Sequence, residues 1–350
     1  MSIQVGQDIA KALANIEVTK EMLKLLSPNI DCSVLEEWHR AAVVEEVAAI
    51  MQLHGVKASA KDVGALLADG AGTGRLNVGQ RKILAYANAL QTVLQHADDI
   101  LFNEETFKAL HKQLMEDEDC AGVAGEYKTQ PNGLSGFGDQ SDKDFQTAAP
   151  HEIPKLMKGL INWVRNALKE GGHPLIVTLV FANMFLAFSP FQAGNDRLCR
   201  LLVTLLLLKL GYGFIQYGAM TMFFVQDLDK LHRVFMMTQA DLKAMKWEWM
   251  PWMRVALKPI TACAGELRQR LELHHAENVE AENARDAVAL PELSARILEF
   301  VRRNGQAAMN AVMLETGISR HTLKGHLSRL VKRGQLVRRG SGRGAWYSLS

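Results

Sequence analysis

The stretch Phe188-Ser-Pro-Phe-Gln-Ala-Gly-Asn-Asp-Arg-Leu-Cys-Arg200 holds the side chains best suited to chemistry. A Gly-Asn pair stands between two apolar runs, and Arg197 and Arg200 follow three residues apart. Gly194 lets backbone approach a ligand closely, the free N–H groups of the next helix point at an anion, and the two arginines share one helical face. In outline this is a phosphate site. A Gly-Asn pair also starts helices for purely structural reasons, so the pattern alone leaves both readings open.

Helical periodicity dominates the segments around it, and proline and glycine are sparse. Helices are expected from Ile9 to Leu25, Val34 to Leu53, Ala60 to Ala68 behind the cap Ser59, Asn77 to Asp98, and Glu104 to Met115 behind Asn103. Between Gly125 and Thr147 the composition changes to turn chemistry, with Pro131-Asn132-Gly133 and Gly136-Phe137-Gly138, which predicts a β-hairpin or flap. Helices resume at His151–Lys169, Leu175–Phe188, Asn195–Leu210, Asp227–Thr238 and Glu248–Leu273. After Pro291 three short helices end at Gly305, Gly317 and Gly334. Two strands joined by Gly340-Ser-Gly-Arg-Gly344 follow. Three helices and a Gly/Arg-tipped hairpin read as a winged helix-turn-helix.

Charge divides the chain the same way. The whole carries a formal +2, but residues 291–350 hold eleven Lys/Arg against three Asp/Glu, leaving 29 against 35 elsewhere. A tail of +8 on a body of −6 is the asymmetry of a nucleic-acid-binding appendage. Recognition would start at Ser319 and use Arg320, His321 and Lys324 on base edges, Arg329, Lys332 and Lys332's neighbour Arg333 on phosphates, and Arg343 at the wing tip. The four cysteines lack C-x-x-C spacing, which speaks against a zinc cage or disulfide framework, so no metal site is expected. The longest apolar stretch is too short for a bilayer and the N-terminus lacks a signal-peptide pattern. The expectation is a cytoplasmic protein with no membrane partner.

The 188–200 stretch resembles the Fic (Fido) signature H-x-F-x-[D/E]-G-N-[G/K]-R-x-x-R through Phe191, Gly194, Asn195, Arg197 and Arg200. Gly125-Glu-Tyr-Lys-Thr129, Phe145–Pro150, His173-Pro174 and Trp249-Met-Pro-Trp252 are similar to further family segments, so the likeness covers roughly residues 35–350. It implies a mainly α fold: a Fic-type helical core with a β-hairpin flap, then a small α+β winged helix-turn-helix domain as in a bacterial subgroup. The implied division is an N-terminal helical region at 1–100, a Fic core at 101–275, a linker at 276–290 and the winged helix at 291–350.

Family enzymes transfer AMP, or another phosphate-containing group, to a target hydroxyl, with ATP and Mg²⁺. Here the departures fall on the chemical positions. Ser189 replaces the histidine base, a role worth about 10²–10⁴ in rate. Ala193 replaces the metal-holding carboxylate. Asp196 enters the phosphate cradle, where a carboxylate about 4 Å from a phosphate charge is repelled by roughly 4 kcal/mol at an effective dielectric near 20. It suits a helix N-terminus without phosphate and could pair with Arg197 or Arg200. Gly194, Asn195, Arg197 and Arg200 remain as a phosphate-binding remnant. The family's inhibitory segment [S/T]-x-x-x-E-[G/N] falls on Ile50–Gly55, with His54 in the glutamate position; an offset would use Glu45 or Glu46 instead. The reading is a catalytically inactive Fic-fold regulator that binds double-stranded DNA as a homodimer, with no cofactor. The alternatives are an adenylyltransferase-like enzyme with a divergent site, using ATP and Mg²⁺, and an antitoxin-like scaffold holding a protein at the flap groove.

Overall fold

The computed structural model describes residues 6–69, 76–115, 124–135, 137, 145–340 and 344–350, without the side chains of 281–291. They divide into two compact units, residues 1–271 and 272–350.

The first unit is helical: α1 Gln7–Leu26, α2 Cys32–Leu53, α3 Ala60–Asp69, α4 Val78–His96, α5 Glu104–Met115, α6 Ile153–Lys169, α7 Pro174–Phe188, α8 Asn195–Lys209, α9 Met220–Gln226, α10 Leu228–Lys243, α11 Met250–Ala256 and the first turns of α12 Lys258–Asn304. Three helices start where short polar residues predict. Ser59 and Asp62 cap each other, Asn77 forms a reciprocal box with Gln80, and Asn103 accepts from the Thr106 N–H. The core runs through α7, apolar on nearly every side as expected of a helix packed all round, and through the leucine-rich part of α8 that follows its charged start. Trp252 of α11 donates its indole N–H to the Leu179 carbonyl of α7, so the Trp-x-Pro-Trp segment braces the motif-bearing helix pair.

The second unit begins with the last turns of α12, whose Leu293, Ile297 and Val301 repeat at helical spacing into its core. Strand β1 Ala307–Ala308, α13 Met309–Thr316, α14 Arg320–Lys332, β2 Leu336–Arg339 and β3 Trp346–Leu349 follow. The antiparallel sheet has the order β1-β3-β2, with Arg339 opposite Trp346. Gly317 ends α13 in the left-handed conformation and the Ser319 hydroxyl caps α14 through the Thr322 N–H. The unit thus runs helix, strand, two helices across a tight turn, then a hairpin.

Three expectations differ. The linker placed at 276–290 lies within α12, because a run of Ala and Glu continues a helix readily. The expected Glu248–Leu273 helix is two, α11 and α12, and the short α9 lies where the sequence predicts no helix. The hairpin expected between Gly125 and Thr147 falls partly on residues outside the description. In the described part Tyr127 forms an isolated antiparallel bridge with Phe191. Among the described residues, no helix is long and apolar enough to cross a membrane.

Candidate functional site

Helix α7 ends at Ser189, which takes left-handed dihedrals of φ 42° and ψ 65°. A residue with a Cβ spends about 1–2 kcal/mol there. The Ser189 hydroxyl is committed to this turn: it donates to the Leu186 carbonyl at 2.7 Å, 1% exposed. Gly194 is also left-handed, at φ 70°, and a Cβ on it would lie 2.8 Å from Met115 Sδ, so this position requires glycine. Asn195 then locks the loop upon itself, accepting from the Phe191 N–H at 2.9 Å and donating to the Phe191 carbonyl at 2.8 Å.

The loop is gripped from two sides. His111 of α5 accepts the Gly125 N–H on Nδ1 at 2.9 Å, which leaves Nε2–H to donate to the Ala193 carbonyl at 3.0 Å. Its ring stacks on Phe191 with centroids 4.0 Å apart. From the flap base, buried Lys128 donates to Asn132 Oδ1, Thr147 Oγ1 and the Phe188 carbonyl at 2.7, 2.8 and 3.0 Å. Burial pushes its ammonium down to about 8. The Asn132 amide donates to the carbonyls of Ser189 and Phe191.

The first turn of α8 carries the charges. Asp196 is 3% exposed, and its Oδ2 lies 2.6 Å from His54 Nε2, the C-cap residue of α2. Burial pushes the Asp196 carboxyl upward. Against it, the His54 hydrogen bond and the positive charges of His54, Arg197 and Arg200 win and bring it to about 2. Arg197 directs Nη2 to Met115 Sδ at 3.4 Å. Arg200 donates to Thr221 Oγ1 at 3.4 Å and lies over the Phe224 ring. Thr221 in turn is held by Glu46, whose two oxygens accept its N–H at 2.8 Å and its hydroxyl at 2.5 Å. Burial raises the Glu46 carboxyl above its usual range, with Thr221 and the Arg200 charge acting against it. Beside Glu46, Asp196 and Arg200 opens a cavity of about 50 Å³, otherwise walled mainly by apolar side chains.

Residues 101–207 match the model of the Fic/DOC family. The chain carries a Fic/DOC domain. Its backbone is similar to a Fic family protein from Desulfovibrio desulfuricans G20, with TM-score 0.62 and 18% identity over 99% of this chain and 97% of that one. It is also similar to a Fic domain containing signaling protein from Bacteroides thetaiotaomicron, with TM-score 0.57 and 18% identity over 74% and 98%. Fic-1 from C. elegans aligns with TM-score 0.56 and 15% identity over 76% and 73%. No curated protein matches the chain significantly.

The Fic/DOC domain brings Ser189, Ala193, Gly194, Asn195, Asp196, Arg197 and Arg200 into one loop and helix start, as the spacing predicts. His54 joins them from outside the matched segment. Asp196 was expected to pair with Arg197 or Arg200; its hydrogen-bond partner here is His54, with the arginines adding their field. Glu46 is buried against Thr221. Cys199 is buried, and burial pushes its thiol up to about 12. Spacing alone gave no sign of His111, Met115, Lys128, Asn132 or Thr221 in the site; each reaches it from another part of the chain.

In the second unit Arg320, His321, Lys324 and Lys332 are exposed on α14. Arg329 is half-buried and turns Nε back to the Gly325 carbonyl at 3.4 Å. Ser319 is engaged as the cap. Arg343 lies outside the described residues.

Proposed function

We propose that the chain is a DNA-binding regulator whose Fic-fold body no longer performs group transfer. The observation that carries this reading is the buried Asp196–His54 pair inside the motif. A carboxylate held ionised in the first turn of α8 supplies the negative charge that the helix N-terminus and both arginines favour, and it opposes an incoming phosphate. The residues present do not fit a magnesium nucleotide. Ala193 offers a methyl group where a carboxylate would hold metal, and its carbonyl is taken by His111. Ser189 uses its hydroxyl proton on Leu186, and a serine is no base near neutral pH.

The DNA half of the proposal rests on charge and topology together. From Thr316 to Ser350 the chain has eight Lys/Arg and no Asp/Glu, within a winged helix-turn-helix whose second helix exposes its cations. Salt titration of full-chain binding to labelled duplex tests this. Affinity should fall with a log–log slope of about −0.9 per phosphate neutralised. Binding that is absent at low salt would overturn it.

A transferase with a divergent site is the second reading, favoured by the left-handed Gly194 and the Asn195 clamp, which keep a phosphate-loop backbone.

A further inference from the structure

Helix α14 buries Leu323, His326, Leu327 and Leu330 and exposes Arg320, His321, Lys324, Ser328 and Lys332. Arg320, Lys324 and Ser328 form one row at four-residue spacing, and Gly325 lies beside it, between His321 and Ser328. Glycine in a helix interior is less stable than alanine. No described residue would clash with a side chain here, although Gly325 is half-buried and Arg329 turns its Nε to the Gly325 carbonyl at 3.4 Å. A Cβ built on Gly325 meets only the far end of the Arg329 side chain, at 3.7 Å, which is ordinary contact. The φ of Gly325 is not positive, so its backbone suits any residue. The missing side chain therefore leaves a notch in the exposed cationic face without serving the fold.

We propose that this notch is the point where α14 comes closest to the floor of the DNA major groove, and that Arg320 and Lys324, in the row beside it, read guanines. The inference rests on the DNA-binding reading above. Charge selects the occupant: α14 carries no acidic residue, and neither does anything after Glu315. The side-chain types select the base. Arginine and lysine pair with O6 and N7 of guanine, whereas the adenine readers Asn and Gln are missing from α14. Four helical residues rise about 6 Å. Base pairs step about 3.4 Å. The two cations thus reach positions one or two base pairs apart. With a side chain at 325 the helix backs out of the groove, and both contacts lengthen together.

The test is selection of duplexes from a random library by the full chain, followed by anisotropy on the selected and a scrambled duplex. The expected motif holds two guanines within three base pairs. Arg320→Ala and Lys324→Ala each should relax one of them, at about 5- to 150-fold in affinity for one such pairing. Gly325→Ala should raise the melting temperature of the protein yet weaken the selected duplex at least tenfold, with the scrambled duplex changed by less than threefold. A motif without guanines at these positions, or unchanged affinity of Gly325→Ala for the selected duplex, overturns the inference and leaves DNA binding standing. Failure to bind any duplex overturns the DNA-binding reading itself, and this inference with it.

Discussion

His54 Nε2 and Asp196 Oδ2 lie 2.6 Å apart although 142 residues separate them in the chain. One closes α2, the other opens α8, so a single contact ties the N-terminal helices to the motif. His54 occupies the place where the resemblance puts an inhibitory glutamate, and Asp196 the place of a residue in the phosphate loop. The signs are exchanged: the basic group comes from α2 and the acidic group from the motif.

Asp196 makes stability depend on acid. Its carboxyl is held at about 2 against an ordinary 3.8, so it contributes stability above pH 3.8 that is lost as pH falls toward 2. Denaturant melts of wild type and Asp196→Asn should therefore converge by about 2 kcal/mol between pH 5 and pH 2. Parallel curves over that range would remove the pair from the stability of the site.

Removing the other partner leaves a buried carboxylate without its hydrogen bond. His54→Ala should cost about 1–3 kcal/mol and lower the melting temperature near neutral pH. His54→Gln, which keeps a donor near the same place, should restore part of the loss. Equal melting temperatures for wild type and His54→Ala would contradict the pairing.

Lys128 titrates in the opposite sense. Its charged form is disfavoured by burial, with a folded value near 8 against an ordinary 10.5, so the cost of burying it is present at neutral pH and is relieved as pH rises from 8 to 10.5. Relative to Lys128→Met, wild type should gain up to about 3 kcal/mol across that window. Because Lys128 clips the flap base to Phe188, the methionine variant should also expose the motif loop to faster amide exchange.

Local chemistry made much of this legible in sequence. The caps Ser59, Asn77 and Asn103 announce their helices through hydrogen bonds within three residues, and the spacing of Phe191, Gly194, Asn195, Arg197 and Arg200 announces the motif loop. The helices and strands of the second unit were readable because their stops and caps are local as well. What stayed hidden is pairing across the fold. The packing of α9 against α2 buries Glu46 on Thr221, and no periodicity encodes that. The grip of His111 on Ala193 and of Lys128 on Phe188 likewise depends on which distant carbonyl the fold delivers. The run after Leu271 read as a linker because its charge suits solvent, although the same residues are good helix formers.

A motif closed by the chain's own carboxylate, as proposed, transfers no nucleotide group. The direct measurement incubates full-length protein with ATP labelled on the α-phosphate and Mg²⁺, and reads incorporation into itself and into cell extract. Incorporation at background, in wild type and in Arg197→Ala alike, is the predicted result. Label transferred by wild type and lost in Arg197→Ala would contradict it and return the chain to the transferases.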